Sequence, residues 1–222
     1  MGVKVRRSKF AITSLILFFS ISSSVTYASA DTKGKSGDNE VVCIDEPQSA
    51  AQKSKRHELP KKLLKRGPRT IDLITNCGVI TIRPQFGPAP VAVTFMTSLI
   101  QQKYFDLTVC HRLTTDVTSF IQCGDPTGTG MGDKVFTYQK ENLPKSSGKY
   151  RQGTVAIQNQ EGISSQFLIF YEDTTLAPNH SIWGRVIEGM DILEYIAEGG
   201  VTGGGTDGKP IRTLVIERAI IR

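Results

Sequence analysis

The sequence predicts a mainly β fold carrying two α-helices, and three observations carry that reading. Short runs such as Thr154–Ile157, Phe167–Phe170 and Ile182–Val186 are apolar or alternate apolar with polar residues, as strands do. Two longer stretches repeat their apolar residues at helical spacing instead. Glycine clusters, at Gly128, Gly130 and Gly132 and again at Gly199–Gly200, punctuate the chain between these runs.

Taken in order, Thr70–Ile74 and Val79–Ile82 read as strands flanking Asn76-Cys77-Gly78, a turn signal. Pro84–Pro90 is a proline-rich loop. From Val91 to Lys103, Phe95, Leu99 and Ile100 fall on one side and no glycine interrupts, which predicts a helix. Tyr104-Phe105-Asp106 leads into a strand, Val109–Leu113, whose return is Phe120–Cys123. A polar stretch with Phe136 and Tyr138 as anchors runs to Tyr150. The three strands named above follow, then a second helix over Met190–Ala197 ending at Gly199–Gly200. Alternating apolar residues make Ile211–Ile221 a further strand.

The hairpin is the most informative stretch. A turn centred on Asp116 and Val117 places Cys110 opposite Cys123, His111 opposite Gln122 and Arg112 opposite Ile121. Alternation sends Cys110 and Arg112 to one face and His111 to the other. An arginine is thereby fixed on a rigid sheet face beside a polar amide and an apolar neighbour. A second motif leads nowhere: Gly203–Lys209 satisfies the first part of a phosphate-binding loop. Pro210 stands where that loop needs Ser or Thr, and a strand follows in place of a helix, so the stretch reads as a glycine turn. Asn179-His180-Ser181 is a glycosylation sequon by pattern alone.

This hairpin resembles the His-Arg strand and its Gln, Gly, Gly, Asp return in the cyclophilin family of peptidyl-prolyl cis-trans isomerases. Gly153–Asn159, Ser165–Ile169 and His180–Met190 follow in the family's order and near its spacing, so the resemblance runs from about Arg69 to Arg222. It implies a closed eight-stranded antiparallel β-barrel with a helix over each end. It also implies rotation about prolyl bonds as the activity, with Arg112 as the catalytic cation and Gln122 and Gln166 orienting it and the substrate. His111, Asn159 and His180 match groove residues that bind substrate, and Phe120, Leu168 and Leu176 match the pocket for the proline ring. The implied partners are proline-containing segments of unfolded or exported proteins, with no cofactor and no metal, and the domain is expected to act as a monomer.

The sequence also departs from the family. Ser119 and Leu168 stand where phenylalanines are usual, Thr175 replaces the tryptophan tied to cyclosporin binding, and Gln158 replaces a small residue. The turn between Arg112 and Phe120 is longer than usual and the loop Gln160–Ser165 shorter. Weaker or narrower activity and poor cyclosporin sensitivity are the expectation, and the alternative to an enzyme is a catalytically weak proline-peptide-binding module.

Composition bounds the setting. Lys4, Arg6, Arg7 and Lys9 precede an apolar run, Phe10–Ile21, and a small-residue site at Ala28-Ser29-Ala30. This predicts a signal peptide over residues 1–30, since the run is shorter than the ~20 residues that span a bilayer. Residues 31–68 read as a flexible, basic extension and 69–222 as the isomerase domain. The net charge of +6 is concentrated in the leader and in Lys53–Arg69, leaving the domain near neutral, so a nucleic-acid face is not supported. Lys61–Arg66 is either a solvated tether or a weak attraction to anionic cell wall or lipid. Cys43, Cys77, Cys110 and Cys123 suit an exported disulfide framework better than zinc, there being no C-x-x-C. The register favours Cys110 with Cys123, leaving Cys43 with Cys77. The cysteine positions resemble those of cyclophilins exported by Gram-positive actinobacteria, which implies an exported address, either extracellular or at the cell wall or the outer face of the membrane, after cleavage near Ala30.

Overall fold

The computed structural model describes residues 41–44, 57–132, 140–158 and 165–222, all within the compact unit Asn39–Arg222. The expected leader, Phe136, Tyr138 and Asn159 lie outside the described residues.

Alternating apolar side chains make β1 (Ile71–Thr75) and β2 (Gly78–Pro84) an antiparallel pair. Their turn is tied by Thr75, whose hydroxyl donates to the Gly78 carbonyl at 2.7 Å and accepts the Cys77 N–H at 3.1 Å. Helix α1 (Pro90–Gln101) starts with proline, which lacks the N–H that a helix start leaves unpaired. With no capping side chain of its own, it is capped from a distance: the Ala92 N–H donates to Glu141 Oε1 at 2.6 Å. It buries Ala92, Val93, Phe95, Met96, Leu99 and Ile100.

The remaining strands are β3 (Thr108–Val109), β4 (Arg112–Thr115), β5 (Ser119–Cys123), β6 (Lys149–Tyr150), β7 (Thr154–Ile157), β8 (Phe167–Phe170), β9 (Thr174–Thr175), β10 (Ile182–Glu188), β11 (Asp207–Gly208) and β12 (Val215–Ile221). Helix α2 (Met190–Glu198) carries Asp191 in its first turn, where the helix dipole favours a carboxylate. All of these strands but β6 and β9, which pair with each other, join one antiparallel sheet in the order β11-β4-β5-β8-β7-β10-β2-β1-β12-β3.

This is a curled half-barrel of ten strands, where a closed ring of eight is expected. Its outer strands β11 and β3 do not pair with each other among the described residues. Two local causes raise the count. A kink at Cys110 and His111 divides one long strand into β3 and β4, and the glycine turn adds β11. At the kink the Cys110 N–H donates to the Leu214 carbonyl, beside β12, and the His111 N–H to the Gln122 carbonyl on β5.

Ile71, Ile80, Ile82, Leu99, Phe105, Leu113, Ile121, Phe167, Trp183 and Ile196 are among the residues of the main core. Part of the expected extension also lies against the domain. His57 stands edge-on to Tyr104 and Phe95, and the Leu64 N–H donates to Thr94 Oγ1 of α1 at 3.1 Å. Val41 and Cys43 pack on the core, and the Ile44 N–H donates to the Asn76 carbonyl.

Candidate active site

The hairpin register differs from the expected one by a single residue. Arg112 pairs with Gln122, not Ile121, and the ladder runs to Thr115 opposite Ser119. Three residues, Asp116 to Thr118, therefore make the turn, and Val117 at its tip is exposed. Because the His111 N–H also bonds to Gln122, two residues share one partner, as in a β-bulge. The extra residue brings Cys110 back opposite Cys123, and the two form a disulfide with Cα atoms 4.1 Å apart. Cys43 and Cys77 form the other bridge. With every cysteine bridged, the pair suggests an oxidising, exported environment.

The corrected register sets Arg112 and Gln122 side by side, and a polar chain follows from it. Arg112 Nη1 donates to Gln122 Oε1 at 3.2 Å, Gln122 Nε2 to Gln166 Oε1 at 2.6 Å, and Gln166 Nε2 to the Gly130 carbonyl at 3.1 Å. Gln122 and Gln166 are both buried, so each amide is held by its partners. Gly130 is fixed in turn by Asp125, a fully buried carboxylate that accepts N–H bonds from Thr127, Thr129, Gly130 and Gly132. Burial pushes the Asp125 carboxyl up, but the donors from Thr127, Gly132 and Gly130 outweigh it and hold it below its usual value. The chain can approach so closely here because Gly124 has no side chain. A β-carbon on it would stand 2.4 Å from the Ser165 carbonyl, and its φ of +91° is in the left-handed region.

Beside this polar chain lies an apolar shelf. Phe120, Tyr150, Ala156, Leu168 and Phe170 form a second buried cluster, separate from the main core, with Leu176 and Ile182 against it. Strand alternation explains the split: on β5 Phe120 and Gln122 share one face while Ile121 and Cys123 enter the main core. The Arg112 guanidinium carbon stands 5.2 Å from the centre of the Phe120 ring, within cation–π range. Tyr150 stacks on Phe170 at 4.6 Å and meets the His180 ring at 6.1 Å, while His180 Nδ1 lies 3.2 Å from the Ile157 carbonyl. Arg112, Gln122, Gln166, Phe120, Leu168, Leu176 and His180 are thus gathered on one face.

His111 is the exception. Its ring lies under the glycine loop, where a β-carbon on Gly130 would meet it at 3.2 Å, and both ring nitrogens are buried without a hydrogen bond. Ser119 also departs from expectation. Alternation turns it away from Phe120, and its hydroxyl donates to Glu172 Oε2 at 3.0 Å, so it takes nothing from the shelf. Thr175 is exposed on β9. Gln158 is buried with its Oε1 unbonded. Tyr150 and Phe170, which complete the shelf, were not among the residues expected there; an aromatic in a strand carries no sign of which face it will take until the register is known.

One partner of Arg112 lies 95 positions further along the chain. Asp207 accepts from Nε and Nη2 of Arg112, both at 2.7 Å. The pair faces solvent, with the Arg112 side chain 35% and that of Asp207 53% exposed. The bond to Asp207 keeps the guanidinium charged, against the opposing effect of burial, and the bond to Arg112 holds the Asp207 carboxyl below its usual value.

Burial pushes both His111 and His180 below the usual histidine value. A depressed folded value means the unfolded chain takes up protons first as pH falls. Stability is then full above about pH 6.5, the unfolded value, and declines as pH drops below it toward the folded values. Melting temperature is expected to be level from pH 7 to 8 and to fall between pH 6.5 and 5. His180→Phe is expected to flatten that decline, and an unchanged decline in both His180→Phe and His111→Phe would contradict it.

Fold and face together define a curled β-sheet protein presenting a fixed guanidinium beside an apolar shelf. A sequence model described as cyclophilin type peptidyl-prolyl cis-trans isomerase matches residues 70–221. The chain belongs to the cyclophilin-type peptidyl-prolyl cis-trans isomerase family. It is similar to a probable peptidyl-prolyl cis-trans isomerase B of Mycobacterium tuberculosis, 35% identical over 166 residues, covering 68% of this chain and 54% of that protein. It thus spans about half the length of that relative. The peptidyl-prolyl cis-trans isomerase cypE of Dictyostelium discoideum is 33% identical over 132 residues, 57% of this chain and 83% of that one. Among solved structures, a Cryptosporidium parvum cyclophilin-type isomerase, crystallised in the presence of the dipeptide Ala-Pro, matches with a TM-score of 0.59 and 25% identity. The match covers 69% of this chain and 98% of that one. Among the described residues, no helix is long and apolar enough to cross a membrane.

Proposed function

We propose that the protein is an exported prolyl isomerase that accelerates the folding of secreted proteins. Rotation about a prolyl bond meets a barrier of about 18–20 kcal/mol because the nitrogen lone pair is delocalised into the carbonyl. A donor placed against that nitrogen is bound most strongly when the bond twists and the lone pair localises, so it stabilises the transition state over the ground state. A guanidinium suits the task because it cannot be deprotonated and its N–H groups project in a rigid plane. The chemistry calls for no nucleophile, metal, cofactor or proton transfer.

In this reading Arg112 is the donor, Gln122 and Gln166 fix it and engage the substrate backbone, and the shelf of Phe120, Leu168 and Leu176 receives the proline ring beside His180. Asn159 is the remaining substrate contact, and His111, beneath the glycine loop, supports the site from behind and does not touch substrate. The single observation that carries the reading is the Arg112–Gln122–Gln166 hydrogen-bond chain alongside Phe120. A relative crystallised in the presence of Ala-Pro supports proline peptides as the ligand class. Export, a monomeric state and a weak attraction of Lys61–Arg66 to an anionic wall or lipid surface belong to the same proposal. A second reading, a peptide-binding module with little catalysis, draws on Asp207, which already occupies two of the donors of Arg112.

Isomerisation of proline tetrapeptides separates the two. Arg112→Ala is expected to lower kcat/KM about a hundredfold, the usual cost of removing one such transition-state donor. Wild type and variant that are equally inactive, yet bind a proline peptide alike, would establish the binding module instead.

A further inference from the structure

We propose that Asp207 is a positioning residue for the prolyl isomerisation, acting through Arg112 from the glycine turn Gly203–Gly208. The inference rests on the isomerase reading above and adds a residue to it.

Sheet register places Asp207 where it can act. Strand β11 pairs with β4 so that Asp207 lies opposite Thr114 and Gly208 opposite Leu113. Thr114 and Arg112 are two residues apart on β4 and share a face, so Asp207 is the diagonal neighbour of Arg112 on that face. The Thr115 N–H donates to the Thr206 carbonyl at 2.9 Å, anchoring the residue before it. Upstream, Gly203 and Gly204 take φ of +86° and +75°, a left-handed turn that lets the chain double back. The motif that looked like an incomplete phosphate loop is thus the mount for a carboxylate.

The geometry of the pair is that of a clamp. An arginine otherwise swings about four side-chain torsions, and a fork of two parallel bonds fixes the plane of its guanidinium where a single bond would leave it free to rotate. Asp207 takes Nε and Nη2 at 2.7 Å each, and Gln122 takes Nη1 at 3.2 Å from the adjoining strand. A guanidinium has five N–H groups. With three engaged, one N–H on Nη1 and one on Nη2 remain, and these are the groups available to a prolyl nitrogen or carbonyl. The Phe120 ring centre stands 5.2 Å from the guanidinium carbon, within cation–π range. Two strands, β11 through Asp207 and β5 through both Gln122 and the Phe120 ring, therefore hold the group whose direction decides whether it can aim at the imide.

The test uses the full chain and proline tetrapeptides, with wild type, Asp207→Ala, Asp207→Asn, Arg112→Ala and the double variant Arg112→Ala/Asp207→Ala. Asp207→Ala is expected to lower kcat about tenfold at unchanged KM, a smaller loss than deletion of the guanidinium itself. Asp207→Asn keeps one acceptor oxygen and is expected to recover part of that loss. The double variant should be no slower than Arg112→Ala alone, because Asp207 has nothing left to position; a role confined to loop stability would instead give independent losses that multiply. Nitrogen-15 NMR of the full chain gives a readout free of activity: the Arg112 Nε–H signal should be sharp in wild type and exchange-broadened in Asp207→Ala. An active wild type with Asp207→Ala equally fast or faster, or losses that multiply in the double variant, would overturn the role of Asp207 and leave the isomerase reading standing. A wild type no faster than Arg112→Ala would overturn the isomerase reading, and a sharp Arg112 signal in Asp207→Ala would remove the clamp whatever the activity.

Discussion

Phe167→Ala is expected to destabilise the domain by about 3–5 kcal/mol, the usual cost of emptying a large buried aromatic site. Phe167 is 1% exposed and meets Phe105 and Trp183 edge-on, with ring centres 5.6 and 6.1 Å away. It opens β8 and pairs with Cys123 on one side and Ile157 on the other, so both neighbouring strands hold its backbone while its ring fills the main core. It also lies between Gln166 and Leu168 in the chain, one holding the polar chain of the site and the other part of its shelf. The loss should therefore reach the site as well, and activity should fall even at temperatures where the variant is folded. Denaturant unfolding is the check: a midpoint lowered at constant m-value is expected, together with a melting temperature lower by roughly 10 °C. A change under ~1 kcal/mol would mean the core does not close around this ring as described.

The bridges give the second large effect, and they should not behave alike. Restricting the unfolded chain, a bridge between residues 13 apart is worth about 3 kcal/mol and one between residues 34 apart about 4. Cys110–Cys123 closes the kink immediately before Arg112, inside the sheet, so Cys110→Ser/Cys123→Ser should lose nearly all of its ~3 kcal/mol and loosen the Arg112–Gln122 pair. Cys43–Cys77 fastens an outlying segment that otherwise shows a bond from Ile44 to Asn76 and the packing of Val41. Once cut, that segment can leave without unfolding the sheet, so Cys43→Ser/Cys77→Ser should cost less than the longer loop suggests and leave activity unchanged. Chemical denaturation of the two double variants tests this, and a larger loss from Cys43/Cys77 would contradict it.

Much of the fold could be read from local pattern. Thr154–Ile157 and Phe167–Phe170 are strands over the expected residues, and both helices stand where apolar spacing puts them, within a few residues at their ends. What pattern could not give was register. A three-residue turn in place of a two-residue one moves Arg112 from Ile121 to Gln122, and only the bulge at His111 restores the cysteine pairing. A ring of eight became ten strands for the same reason, since a kink and a two-residue pairing leave no periodic signal. Arg112, Gln122 and Gln166 were legible because a family arranges them in known order, and the structure brings them into one hydrogen-bonded row. Asp207 was not, because its approach to Arg112 depends on β11 pairing with β4 across most of the domain's length, and by sequence it belonged to a motif with another meaning.

A planar guanidinium held at Arg112 is expected to lower the barrier to prolyl rotation. Exchange NMR on a peptide containing Ala-Pro, with wild type, Arg112→Lys and Arg112→Ala, tests it without a coupling enzyme. Cross-peaks between the cis and trans proline signals are expected with wild type and are expected to vanish with both variants, since lysine keeps the charge but not the fork. Undiminished exchange with either variant, or a peptide that binds wild type and does not exchange, would contradict it.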